Sequence, residues 1–238
     1  MNIKKYILVA IKVIRYNLKI IFAGKFFWFI LAAFAFFAFF MFQTAWNRAE
    51  INEGTIYNIL IFPCLLLIFY PVVFGIQNDE DNRILEIIFG ISNYRYKVWG
   101  VRLLMTYVAN YFILVIFAYV AKLLLYPVNF FEMAGQLIFP MLFFGNLAFM
   151  FSTITRSGNG TAVIMILAGL VFFIFVGSNN ALGNSYWNVF LNPFTVPRDI
   201  HPVIWQDTIL KSRIFLFVGG IVWLFIGLLN LQKREKFV

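Results

Sequence analysis

Six long runs of apolar residues set the limits on how this chain can fold. They lie near 26–46, 56–76, 101–125, 135–155, 161–178 and 213–231. A helix of about 20 apolar residues is long enough to cross the hydrocarbon core of a bilayer, which is roughly 30 Å thick. Lipid offers backbone groups no hydrogen-bond partner, and the runs are too long for barrel strands. Each run is therefore predicted to form a transmembrane helix.

The composition argues against a soluble protein. Of the 238 residues, 63% are apolar and only 12% are charged, whereas a soluble domain has roughly 25% charged residues. One core of this size could not bury so much apolar surface, so the bilayer must cover the rest. We expect an all-α polytopic membrane protein that forms a single transmembrane domain over residues 1–238.

The positions of the basic residues predict the orientation, because cytoplasmic loops are enriched in Lys and Arg. With both termini inside, most of the 19 basic residues fall on the cytoplasmic side. The net charge of +9 is then explained by topology and by contact with anionic membrane lipids. We expect no nucleic-acid partner, since the chain has no compact basic module.

Residues 3–24 show the pattern of an amphipathic helix ahead of the first span. Apolar side chains recur there every three or four residues, at Ile7, Ile11, Ile14, Leu18 and Ile21. A basic amphipathic helix of this kind is typical of the headgroup region of a membrane, here that of the inner leaflet. The helix is either a simple anchor or also part of a platform for a cytoplasmic partner.

With this orientation, residues 179–212 form the only long segment on the outer side. Aromatic residues are interleaved there with prolines, at Tyr186, Trp187, Phe190, Pro193, Phe194, Pro197, Pro202 and Trp205. Trp and Tyr favour the membrane interface. We therefore expect short helices that dip into the outer interface.

Residues that carry chemistry are scarce. The phosphate-binding pattern of P-loop ATPases is absent from the sequence, and no acidic residue lies within a predicted span. Cys64 is the only cysteine, and a buried, inert thiol is expected. His201, the only histidine, has Asp199 and Asp207 near it in sequence, but a lone histidine there is more typical of a surface than of an acid–base site. We expect no catalytic residue, no metal site and no cofactor on this chain.

The segment 79–97, between the second and third spans, is charged where most of the chain is apolar. Three acidic residues open it: Asp79, Glu80 and Asp81. A short helix is predicted next, over Arg83, Ile84, Leu85, Glu86, Ile87, Ile88 and Phe89, and Gly90 ends it. Its apolar side chains either rest in lipid or form a knob that inserts into a cleft on a soluble ATPase subunit. In the second case the acidic residues would serve salt bridges or gating.

The order of these residues resembles the permease subunits of ATP-binding-cassette exporters of the type-2 class. Two stretches carry the resemblance around the charged segment, Arg83-Ile84-Leu85-Glu86-Ile87-Ile88 after Glu80 and then Gly90-Ile91-Ser92, with Trp99-Gly100-Val101-Arg102 further on. Ile91 stands where the family usually has Pro, and Arg102 stands one place later than the usual Lys. A further likeness is Leu191-Asn192-Pro193-Phe194 followed by Arg198, before the last span.

The resemblance implies a half-transporter in the bacterial cytoplasmic membrane. Two six-span subunits, identical or similar, would enclose a pathway, and two separate ATPase chains carrying ATP and Mg would bind below them. Residues 83–89 would be the coupling segment that these ATPases push. Asp79, Glu80 and Asp81 would stand at the cytoplasmic gate, and the exported substrate is not specified by the sequence.

Two other functions fit the same sequence features. The chain could be a membrane subunit that couples an ATPase to an outer assembly and moves no solute, with residues 179–212 as its protein contact. It could also be a channel that works without ATP. Transport in liposomes separates the exporter from the coupling subunit, and conductance of the chain alone would indicate a channel.

Overall fold

A computed structural model describes residues 25–47, 51–81, 95–178 and 183–231. Its principal helices are α1 (Phe26–Trp46), α2 (Glu53–Val73), α3 (Gly75–Asp81), α4 (Val101–Leu124), α5 (Phe130–Thr155), α6 (Gly158–Ser178) and α7 (Pro202–Asn230). A π-helical turn, Arg95–Gly100, runs directly into α4. These ranges contain no β-strand, so the predicted all-α fold is confirmed for them. The helix predicted for residues 3–24 lies outside them.

In the part of the chain that the structure describes, five helices are long and apolar enough to cross a membrane. They are Phe26–Trp46, Glu53–Asp81, Tyr96–Leu124, Phe130–Thr155 and Pro202–Asn230. The second combines α2 with α3, and the third combines most of the π-helical turn with α4. The helix Gly158–Ile174 is also apolar but shorter. The chain is therefore a multi-pass membrane protein.

The helices form two antiparallel sets, and this arrangement creates two ends. α5 and α7 run in one direction, because Gln136 near the start of α5 contacts Arg213 of α7, and Thr153 near its end contacts Asn230. α2 runs the same way, since its Cys64 bonds Leu137 and its Val73, at the end, bonds Ser152 of α5. α4 runs the other way, since Tyr107 bonds Asn146 of α5. We call the end where α3 stops and α4 starts the Asp79 end. The end where α2, α5 and α7 start is the Arg213 end.

α5 is the central helix of the bundle. Of the five long apolar helices described above, α5 is the most buried and α1, at the periphery, is the least buried. α7 packs closely along α5 because it presents glycines to it. A Cβ added at Gly219 would lie 2.8 Å from the ring of Phe143, and one at Gly227 would lie 2.7 Å from the ring of Phe149. Small residues of this kind allow membrane helices to approach each other.

The last helix starts earlier than the sequence predicts. Residues 202–212, assigned above to the outer segment, form about the first three turns of α7 instead. His201 caps this helix, since its Nδ1 accepts a hydrogen bond from the Val203 amide at 3.3 Å. Pro202 follows at the first helical position, which suits proline. Local capping therefore extends the helix beyond its apolar run.

Candidate functional site

The structure separates the three acidic residues that were predicted to form a gate. All three lie on the last turns of α3, where consecutive residues point in directions about 100° apart. Asp79 faces the interior and is only 4% exposed, whereas Glu80 and Asp81 are exposed. The residues predicted to contact an ATPase, 83–89, lie outside the described part of the chain. Asp79 is therefore the member of this group whose surroundings can be analysed.

Asp79 forms a buried ion pair with Arg102. Nη1 of Arg102 lies 2.7 Å from Oδ2 of Asp79, and Arg102 is only 7% exposed. Arg102 is the second residue of α4. The pair therefore joins the helix that enters the segment 82–94 to the helix that leaves it. A buried charge is tolerated when it is paired in this way.

Trp99 also contacts Arg102, through the face of its ring. The guanidinium carbon of Arg102 lies 4.6 Å from the centre of the Trp99 ring, a distance at which a cation and an aromatic face attract each other. The Trp99 ring is buried and packs against Phe149 of α5, with 6.1 Å between ring centres. The ion pair is therefore tied to the central helix as well as to α3 and α4.

A short hydrogen bond connects the same end to α6. Oε1 of Gln77, on α3, accepts a hydrogen bond from the amide of Gly158 at 2.6 Å. Gly158 is the first residue of α6, and its amide would otherwise need another partner. Ser152 of α5 donates to the carbonyl of Val73 at 3.1 Å. These bonds bring α2, α3, α5 and α6 together beside the ion pair.

The turn between α5 and α6 is compact. Arg156 adopts a left-handed conformation with φ of 56° and ends α5. Thr161 closes the first turn of α6, because its hydroxyl donates to the Ser157 carbonyl at 2.8 Å. It also lies 2.7 Å from the Thr155 hydroxyl. The start of α6 is thus held on both sides, by Gln77 and by the end of α5.

The Arg213 end has a buried arginine of a different kind. Arg213 is 6% exposed and lies within the membrane-spanning length of α7. Its Nε donates to Oε1 of Gln136 at 2.8 Å, and its Nη2 donates to the carbonyl of Leu191 at 3.4 Å. The guanidinium also lies 5.6 Å from the centre of the Phe139 ring. All of these partners are neutral.

Residues 191–194 lie across the start of α2. Nδ2 of Asn192 donates to the Gly54 carbonyl at 2.8 Å and to Oδ1 of Asn58 at 3.0 Å. Phe194 packs against the ring of Tyr57, 5.9 Å between centres. This is the Leu-Asn-Pro-Phe motif of the sequence, and its asparagine holds a loop onto a helix.

The arginine that contacts this motif is not the one the resemblance selects. Arg198 is exposed, whereas Arg213 reaches the Leu191 carbonyl. One signal for Arg213 is visible in the sequence, where a cation stands at the edge of an apolar run. Such residues usually extend to the membrane surface, and this one is buried among other helices instead.

The residues considered for acid–base chemistry do not form a site. His201 is exposed and serves as the cap of α7. Asp207 pairs with Lys211 one turn further along the helix, at 2.6 Å, and both are largely exposed. Within the described ranges no group of three or more His, Cys, Asp or Glu side chains could hold a metal ion. Cys64 is buried, as predicted, and its thiol donates to the Leu137 carbonyl at 3.6 Å.

Comparisons of the chain with family models, with curated proteins and with solved structures give no match. The two buried arginine sites are the features of the structure from which a function can be argued. One of them flanks the charged segment and the other lies under residues 191–194.

Proposed function

We propose that this chain is the membrane-spanning permease subunit of an ATP-driven exporter whose ATPase is a separate protein. In this proposal α6 crosses the membrane as well, so the chain has six spans with both termini inside. The excess of Lys and Arg then places the Asp79 end in the cytoplasm. The segment 82–94 would face the compartment that contains ATP.

The observation that carries the proposal is the buried Asp79–Arg102 pair. It holds the two ends of the segment 82–94 together, with 2.7 Å between the charged groups. Separating one partner from the other would leave a buried charge uncompensated, at a cost of about 3–5 kcal/mol. A force on the segment would therefore move α3 and α4 as one unit and would not be absorbed in the flanking residues.

The contacts around the pair give this movement a route into the bundle. Trp99 contacts Phe149 of the central helix, and Gln77 is bonded to the first residue of α6. A displacement at the segment would reach α5 and α6 through packed side chains and hydrogen bonds. This is what a coupling element needs if ATP hydrolysis on another chain is to open and close a pathway.

The remaining parts of the proposal follow from the sequence resemblance. The ATPase chains would carry ATP and Mg, since this chain has no P-loop pattern. A second copy or a similar subunit would complete the pathway in the bacterial cytoplasmic membrane. Glu80 and Asp81, which are exposed on α3, would be free to contact the ATPase or to act at the gate.

The experiment is co-purification with an ATPase. Replacing Leu85 and Ile88 with Asp should abolish recovery of a P-loop ATPase with the chain, because charged groups would enter an apolar cleft. The matched control exchanges the two side chains, Leu85→Ile with Ile88→Leu, and should keep the complex. Membrane insertion of both variants should match that of the wild type.

Two results would count against this function. One is an unchanged complex in the Asp variant, which would remove the segment from the interface. The other is ATP hydrolysis or ion conductance by the purified chain alone, since a subunit driven by a partner should show neither.

A further inference from the structure

Arg213 is a buried cation whose counter-charge is missing from the described part of the protein. Glu53 and Glu132, in the first turns of α2 and α5, are acidic residues at the same end. Neither forms an ion pair with Arg213, and the two ion pairs found in the described ranges involve other residues. Ionisable groups within membrane helices are costly and are typically retained for function.

Two hydrogen-bond donors at this position have no acceptor. Nη1 of Arg213 and the hydroxyl of Tyr57 are both buried, and neither forms a well-aligned hydrogen bond in the described structure. Tyr57 is completely buried, and its hydroxyl oxygen lies close enough to the guanidinium of Arg213 for a weak hydrogen bond, so the hydroxyl proton is the part that lacks an acceptor. Buried donors are nearly always satisfied in folded proteins. Two unsatisfied donors beside an uncompensated positive charge match the requirements of an oxyanion.

We propose that Arg213 and Tyr57 form a binding site for an anionic group, a carboxylate or phosphate carried by a ligand. The ligand would accept hydrogen bonds from Nη1 of Arg213 and from the Tyr57 hydroxyl, and it would neutralise the guanidinium. Hydrogen bonds of this kind to charged groups are shorter and stronger than neutral ones. Gln136 fixes the guanidinium from the other side through its 2.8 Å bond to Nε.

The contact that the ligand would displace is the one to residue 191. The hydrogen bond from Nη2 to the Leu191 carbonyl is long, at 3.4 Å, and long hydrogen bonds are weak. Residues 191–194 cover this end of the bundle through the bonds of Asn192 to α2. An anionic group arriving at this end could replace the carbonyl without breaking the bond to Gln136.

Ligand binding should be measured on the purified full-length chain without any ATPase. The thermal unfolding midpoint is followed in a neutral detergent during titration with sodium phosphate at fixed ionic strength. A second arm compares nanodiscs of phosphatidylglycerol with nanodiscs of phosphatidylcholine. A ligand that binds the folded state raises the midpoint saturably. A rise with phosphate would indicate a free anion, and a rise only with phosphatidylglycerol would indicate a lipid headgroup.

Three variants assign the effect to the site. Arg213→Gln should abolish the saturable rise, whereas Arg198→Gln, at an exposed arginine of the neighbouring segment, should leave it unchanged. Tyr57→Phe removes a single oxygen whose contact with Arg213 is weak, so it should fold normally and weaken binding by about tenfold. This variant keeps the test decisive if Arg213→Gln does not fold.

Several outcomes would overturn the site. They are the absence of any anion-dependent rise in the wild-type chain, equal rises in the wild type and in Arg213→Gln, and unchanged binding in Tyr57→Phe. The measurement needs no ATPase partner and no transported substrate. Its failure would therefore remove the anion site without deciding the proposed export function, and the reverse also holds.

Discussion

Arg102 and Arg213, the two buried arginines among the described residues, have nearly the same exposure but different electrostatic surroundings. Arg102, at 7% exposure, has a carboxylate at 2.7 Å and an aromatic ring beside it. Arg213, at 6% exposure, has a side-chain amide, a backbone carbonyl and an aromatic ring. The first site is electrically complete and can serve as a mechanical tie. At the second, the described residues supply no opposite charge, and in our proposal a ligand supplies it.

Burial alone does not define the role of a charged residue in a membrane protein. What matters is whether the structure supplies the opposite charge. At the Asp79 end the two charges come from the helices on either side of the segment 82–94. The ion pair therefore also holds the end of α3 next to the start of α4. At the Arg213 end the described residues that contact the guanidinium are all neutral.

The largest expected effect follows from breaking the complete site. Asp79→Asn should lower the free energy of unfolding by about 3–5 kcal/mol, because it leaves the Arg102 charge buried and unpaired. The measurement is thermal or denaturant unfolding of the purified chain in detergent. The double variant Asp79→Asn with Arg102→Gln should recover part of the loss. If the single and double variants were equally destabilised, the pair would not be the source of the effect.

A smaller effect is expected where α6 joins the Asp79 end. In Gly158→Ala the new Cβ would lie 2.6 Å from Oε1 of Gln77 and would also contact the Phe74 ring. Such overpacking typically costs about 1–3 kcal/mol. The matched control is Gly169→Ala on the same helix, where a Cβ meets nothing within 4 Å and the change should stay within about 0.5 kcal/mol. Equal stability of the two variants would show that the start of α6 is not held by α3.

The smallest effect on stability is expected at the incomplete site. Arg213→Met removes the uncompensated charge and leaves the Gln136 acceptor without its partner, so the cost should be about 1–2 kcal/mol. The same unfolding measurement applies. A loss of about 3–5 kcal/mol, as expected for Asp79→Asn, would reveal a counter-ion on the chain and would erase the contrast between the two ends.

Apolar length predicts helices well where polar residues mark both ends. α1 spans the predicted residues 26–46, because Lys25 and Asn47 flank a run that is apolar except for Gln43 and Thr44. The start of α7 was missed because polar residues such as Gln206 and Asp207 lower the hydropathy of its first turns. The His201 cap stabilises the start of the helix ahead of these turns. A prediction based only on the length of the apolar run does not detect such a cap.

The sites could be predicted only in part. The acidic group before the segment was recognised, but the importance of Asp79 over Glu80 depends on which side of α3 faces the bundle. Arg102 is 23 residues away in sequence, so its pairing requires the folded positions of two helices. Arg213 is the first residue of the last predicted span, and its partners come from α5 and from residue 191, so only the structure brings them together.

The central claim is that the segment beside the Asp79–Arg102 pair faces the cytoplasm and contacts a separate ATPase. The direct measurement is labelling of Ile88→Cys with a membrane-impermeant maleimide. Cys64, the only native cysteine and a buried one, is first replaced by Ala. We predict no labelling in intact cells, labelling after permeabilisation, and protection by the bound ATPase. Labelling in intact cells would place the segment outside and would contradict the account.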